Sequence, residues 1–294
     1  MRRAGYGAAL AMTPYCVLKI VWTIGGGPLR AINAVTVVMS GLAILLGLAL
    51  AQPWGLRVPA WLMLLPAWIG MGFLVPMLPL IPALALVGGD TGDSAGEVRM
   101  AAWEVGLLSV SFAGFALGVA IAAPAYAARR WPLGAEVPGL PGVRVTLARL
   151  AAALCVALGL PSLCWAAGAT AGLNPATLGN RDAQWHLLTV NNGVWALIAA
   201  ASVWTLTRHT GRLPLLAAWL AAGFLFAWGS WKAVLSFAVT PEFPPPEQPW
   251  VLAAQNHFGA VAGLLILVVV LLTVADEAGQ RELPGGRQRS RAGA

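Results

Sequence analysis

Apolar stretches of about 20 residues, the length that carries a helix through a hydrocarbon core, recur along this 294-residue chain. Eight can be counted, at about 7–26, 32–52, 60–87, 101–127, 147–170, 187–206, 213–239 and 252–275. Inside such a core every backbone polar group must pair within its own segment, so the segments are expected to be helices. Barrel strands would need a ten-residue polar/apolar alternation, and none is visible. With 59% hydrophobic and only 10% charged residues, too little polar surface remains to clothe a soluble fold. The expectation is an all-α polytopic bundle of about eight transmembrane helices in a bacterial plasma membrane.

The net charge of +7 suggests nucleic acid until the charges are placed. With the N-terminus inside, thirteen arginines fall on the inner side: Arg2, Arg3, Arg57, Arg129, Arg130, Arg144, Arg149, Arg208, Arg212, Arg281, Arg287, Arg289 and Arg291. Arg30, Arg99 and Arg181 fall outside. That asymmetry sets both termini in the cytoplasm. It also makes the basic tail 279–294 a disordered end beside anionic headgroups, and lipid rather than nucleic acid the expected partner. Arg2 and Arg3 resemble the start of a signal peptide, but Lys19 interrupts the apolar run and no A-x-A site follows. Cys16, Cys155 and Cys164 form no C-x-x-C pair and are read as small buried apolar residues. No metal or cofactor motif is present, and neither is H-E-x-x-H or a nucleophile elbow.

Two halves can be recognised. R-V-P-A-W-L-M-L-L-P-A-W-I-G-M-G-F-L (57–74) and R-L-P-L-L-A-A-W-L-A-A-G-F-L (212–225) share L-x-A-W-x-x-x-G-F-L, which pairs Trp68 with Trp219 and Phe73 with Phe224. W-T-I-G (22–25) echoes W-A-A-G (165–168). Four helices per half is an even number, so the repeats would run parallel, related by an axis along the membrane normal. The expected organisation is a first half at 1–128, a Pro/Gly-punctuated cytoplasmic linker at 129–146, a second half at 147–278, and the tail.

Depth can be counted at about 1.5 Å per residue. Lys19 and Lys232, the only lysines, each lie about seven residues below the outer end of an outward-running helix. Glu104, Asn191, Asn192, Gln255, Asn256 and His257 fall at similar levels on inward-running helices, and Asn33 enters nearby. Polar groups thus gather in the outer third of the membrane, above an inner half of Ala, Leu, Val and Gly. Tyr15, Lys19 and Trp22 stand at i, i+4 and i+7 on one helix face. Phe224, Trp228, Trp231 and Lys232 share another face, as do Asn192 and Trp195. Pro76, Pro79 and Pro82 crowd the outer end of the third segment, where freed carbonyls need a partner. A charge at mid-membrane costs about 2.5–3.5 kcal/mol, so both lysines are expected to face the bundle interior. Snorkelling to the headgroups and a purely structural Lys–Glu pair are the plainer alternatives. Trp54, Trp61, Trp131, Trp185 and Trp250 read as interfacial belts.

The run P-Y-C-V-L-K-I-V-W-T-I-G-G, followed by W-G-L-R-V-P-A-W (54–61), resembles uncharacterised multi-pass membrane proteins of actinobacteria. The matching residues are Tyr15, Leu18, Lys19, Trp22, Gly25, Gly26, Trp54, Gly55, Arg57, Pro59 and Trp61. The resemblance implies membrane class and source, and no activity.

Three functions remain open. An outward-facing pocket could bind or transport a small polar or anionic solute through Tyr15, Lys19, Trp22, Glu104, Asn191, Asn192, Trp195, Trp228, Trp231, Lys232, Gln255, Asn256 and His257. A membrane-embedded enzyme would use Glu104 or His257 as its acid–base group on a lipid-linked or apolar substrate. An accessory subunit or homo-oligomer would pack through Gly114 and Gly118, or Gly259 and Gly263. A retinal pigment on Lys232 is disfavoured by the helix count and by the absence of an aspartate near it.

Overall fold

The computed structural model describes residues 2–26, 30–87, 101–130, 141–209, 211–237 and 250–281. Ten α-helices and two short 3₁₀ turns make up the described structure, without a strand among the described residues. The helices are α1 (Arg2–Gly25), α2 (Arg30–Ala51), α3 (Ala60–Leu74), α4 (Leu80–Val87), α5 (Ala102–Arg130), α6 (Pro141–Ala166), α7 (Pro175–Gly179), α8 (Ala183–Thr205), α9 (Arg212–Phe237) and α10 (Trp250–Arg281). Seven of them, α1, α2, α5, α6, α8, α9 and α10, are long and apolar enough to cross a membrane.

The segment 60–87, expected as one helix, is broken. It runs as α3, a 3₁₀ turn at Val75–Met77, and α4. Pro76, Pro79 and Pro82 remove the amides that would continue the α-helical ladder. The expected linker is shorter at its far end, because α6 begins at Pro141. Residues 88–100, 131–140 with Trp131, 238–249 and those beyond 281 lie outside the described residues.

Packing falls into two groups. In the first, α1 lies against α2 and α5, and α3 lies against α5. In the second, α6 lies against α8 and α10, and α9 lies against α8 and α10. Each group has its own apolar core, around Met12, Tyr15, Phe115 and Val119 in one and around Cys155, Val203, Phe224 and Ile266 in the other. They meet chiefly where α3 crosses α9. There the Trp68 indole donates to the Trp219 carbonyl at 2.8 Å and stacks on Phe226. A Cβ on Gly72 would collide with the Gly223 backbone, so only glycine permits this approach. The Trp228 indole donates to the Phe73 carbonyl at 3.3 Å, beside the proline break, which supplies a donor from a neighbouring helix.

The G-x-x-x-G faces are used inside the chain. Gly114 and Gly118 let α5 close on Ala11 and on the Ala4 and Ala8 turn of α1, and Gly263 lets α10 close on Ala222 and Phe226 of α9. Cysteine burial is also uneven. Cys155 is buried and Cys16 half-buried, but Cys164 is exposed, continuing the exposed stripe of Val156 and Leu160. A thiol is apolar enough to remain there.

Candidate functional site

Four helices of the second group enclose a cavity of about 230 Å³. Helix α6 contributes Leu158, Ser162 and Trp165, at i, i+4 and i+7 on a single face. Helix α8 contributes Trp185, Thr189, Asn192 and Ala196, again in register along one stripe. From α9 come Phe224, Trp228, Gly229 and Lys232, and from α10 Leu252, Gln255, Asn256 and Gly259. Beside it α9 and α10 run almost backbone to backbone, since a Cβ on Gly229 would press on the Asn256 carbonyl and the Ala260 amide. Tryptophans form much of the wall.

The cavity reaches the helix ends. Trp165 is next to last in α6, while Trp185 and Leu252 lie in the first turns of α8 and α10. The connection between α6 and α8 is firmly built. Gly168, at φ 106°, ends α6 in a Schellman turn, with Ala169 N–H donating to the Cys164 carbonyl and Gly168 N–H to that of Trp165. The Arg181 guanidinium donates to the Gly168 and Ala169 carbonyls and lies over the Trp185 ring at 4.9 Å. Asp182 caps α8, accepting from the Trp185 amide at 2.6 Å. The Trp165 indole donates to the Ala171 carbonyl. Two cavity-lining tryptophans are therefore tied to this connection.

Charge inside the cavity is one-sided. Lys232 brings an ammonium, and the described lining residues include no aspartate or glutamate. Among the described residues no hydrogen bond or ion pair engages that ammonium, and the contact it makes is with the Trp228 ring, 6.0 Å from its centroid, the outer limit of a cation–π interaction. Gln255 is committed elsewhere. Its Nε2 donates to Ser162 Oγ at 2.6 Å and to the Leu158 carbonyl at 3.1 Å, pinning α10 to α6. Ser162 and Thr189 hydroxyls also donate back to carbonyls of their own helices.

The expected site residues divide. Asn192, Trp228, Lys232, Gln255 and Asn256 line the cavity. Tyr15, Lys19, Trp22 and Glu104 belong to the first group and are absent from its lining. Lys19 Nζ donates to Asn33 Oδ1 at 3.0 Å and lies 4.4 Å from the centroid of the Trp22 ring and 5.6 Å from that of Tyr15. Glu104 caps its own helix, accepting from the Ala101 amide at 2.8 Å, and acts on Lys19 through space without forming a close ion pair. Asn191, 6% exposed, is buried beside the cavity, and among the described residues its Nδ2 has no partner. Trp195 packs on Phe224 from behind. Trp231 is 41% exposed and turned away, because one residue along a helix rotates the side chain by about 100° from Lys232. His257 is exposed, with Nδ1 2.7 Å from the Ala253 carbonyl.

Ser162, Trp165, Thr189 and Trp185 are the additions the structure makes. Trp185 lines the cavity instead of serving only as an interfacial belt residue. The signal for α6 was available in the W-x-x-G echo, which places Leu158, Ser162 and Trp165 against Tyr15, Lys19 and Trp22. Comparison with family models, curated proteins and solved structures finds no match. The actinobacterial resemblance of the first 80 residues gains no support from them.

Proposed function

We propose that this chain is a multi-pass plasma-membrane protein that binds a small anionic or polar solute from the exterior, as the first step of its transport. The observation that carries the reading is the Lys232 ammonium, set in a cavity without an acid among its described lining residues. An uncompensated charge at membrane depth is costly, and such residues mark substrate and ion paths. A ligand anion would supply the missing partner.

In this reading the interrupted segment α3–α4 completes eight crossings, and the two groups are parallel four-helix repeats about an axis near the α3–α9 crossing. The arginine asymmetry places both termini in the cytoplasm. It also puts the cavity at the outer ends of α6, α8 and α10. Glu104 and His257, the acid–base candidates of the enzyme reading, lie off the cavity lining, and the glycine faces of the accessory reading are occupied within the chain.

Thiol labelling tests this. In a background with Cys16, Cys155 and Cys164 changed to alanine, Asn192→Cys is exposed on intact cells to membrane-impermeant anionic and cationic methanethiosulfonates. Normalised to a free thiol, the anionic reagent is expected to react about tenfold faster, and Lys232→Met to even the two rates. Equal normalised rates, or labelling only from the cytoplasmic side, would overturn the proposal.

A further inference from the structure

We infer that the cavity takes a small monocarboxylate with a flat, apolar body. This rests on the anionic cavity proposed above and names its ligand class. Three features of the lining restrict the chemistry.

The first is charge. One ammonium without a lining carboxylate balances one negative charge. A zwitterion such as an amino acid would bring its own ammonium into a space with no acid among its described lining residues, and a dianion would leave half its charge unpaired. Each arrangement buries a charge without compensation, which is the costly case. A neutral ligand would leave Lys232 as it stands.

The second is the type of donor. Across the chain arginines outnumber lysines sixteen to two, yet the described lining residues include no arginine. Phosphate and sulfate groups are commonly met by arginine forks or by open helix N-termini. At α8 the Asp182 side chain already occupies the first-turn amide of Trp185. A carboxylate asks for less: one ammonium and one or two amide N–H groups. Asn192 and Asn256 both line the cavity, and among the described residues no hydrogen bond engages either side chain. Gln255, by contrast, is held by Leu158 and Ser162.

The third is shape. Trp185 and Trp228 are partly open and offer apolar ring surface to a planar group, and the buried Trp165 and Phe224 complete the aromatic lining. A volume of 230 Å³ equals roughly eight water molecules at about 30 Å³ each. That accommodates one ring bearing one carboxylate.

The test uses the purified full chain in detergent, with binding read by tryptophan fluorescence and calorimetry. Benzoate is compared with benzamide, benzylamine, phenylalanine and phenyl phosphate at neutral pH. Benzoate is expected to bind at least tenfold more tightly than each of them, and Lys232→Met to bring benzoate and benzamide to equal affinity while the protein melts as before. Lys232→Gln, which keeps a polar end, should do the same and guards against a folding artefact. Benzamide equal to benzoate in the unmodified chain overturns the inference, as does tighter binding of phenylalanine or phenyl phosphate. Decanoate separates a fatty acid drawn from the bilayer from a solute drawn from water, and its binding more tightly than benzoate would overturn the ring-sized class. If Asn192→Cys prefers the anionic thiol reagent while benzoate has no advantage, the ligand class fails alone. If that preference is missing too, the anionic cavity fails with it.

Discussion

Lys19 and Lys232 each lie in the last two turns of a long apolar helix, α1 and α9, and each is beside a tryptophan, yet they are differently placed. Lys19 is spent. Its ammonium donates to the buried Asn33 oxygen at 3.0 Å, lies over Trp22, and has the Glu104 charge nearby. Lys232 meets a ring at 6.0 Å and open volume. The contrast extends to the helices around them. Aligned on W-x-x-G, the first group has Tyr15 and Lys19 where the second has Leu158 and Ser162, so a long cation stands where the other group carries a hydroxyl at a cavity wall. Aligned on L-x-A-W-x-x-x-G-F-L, Lys232 falls against Ile81, in α4 beyond the 3₁₀ break at Val75–Met77. The difference teaches that position along an apolar helix does not by itself assign a role to a lysine. What faces it from the next helix does.

Two substitutions should pull the pair apart, and the larger effect is at Lys232. Lys232→Met should weaken binding of a small anion by about thirtyfold or more, since removing one partner of a buried charge pair costs about 2 kcal/mol at least. The melting temperature should hold or rise, because the unliganded protein loses an uncompensated charge. Lys19→Met should show the reverse pattern. It strands the Asn33 oxygen, and an unsatisfied buried acceptor costs about 1–3 kcal/mol, to be read as a lower melting temperature in detergent. Anion affinity should stay within about threefold. Both lysines weakening binding alike, or both lowering stability alike, would break the comparison.

The bundle was legible because hydrocarbon thickness forces apolar runs of one length, and seven long helices are present where such runs occur. The proline cluster was legible as a distortion, but not as a full break into α3 and α4. The polar layer was an expectation from counting along each helix. Counting gives height and says little about azimuth, so it could not tell that Lys232 faces a cavity while Trp231 faces outward. It also merged two clusters into one site, whereas Lys232 lines the cavity and Lys19 is held by Asn33 away from that lining. The glycine pairs misled for a related reason. G-x-x-x-G announces that another backbone comes close, not that it belongs to another chain. Thr189 was invisible because a hydroxyl in an apolar helix ordinarily bonds its own backbone, as it does here.

The smallest effect sharpens the comparison from the other side. Ser162 aligns with Lys19, and both link their helix to a neighbour: Lys19 to Asn33 of α2, Ser162 to Gln255 of α10. The two links differ in redundancy. Gln255 Nε2 also donates to the Leu158 carbonyl at 3.1 Å, so Ser162→Ala leaves that amide with an acceptor, whereas Lys19→Met leaves Asn33 Oδ1 with none among the described residues. Two hydrogen bonds of the hydroxyl are lost, but its back-bond to the Leu158 carbonyl adds little to a helix; the Gln255 link is worth about 0.5–1.5 kcal/mol, and no buried group is orphaned. The melting temperature of Ser162→Ala should therefore fall less than that of Lys19→Met, with small-anion affinity changed by no more than about threefold. A larger fall than in Lys19→Met would mean that the polar groups of the second group are committed to holding helices together. The cavity would then be a by-product of small side chains, and Lys232 a second structural cation.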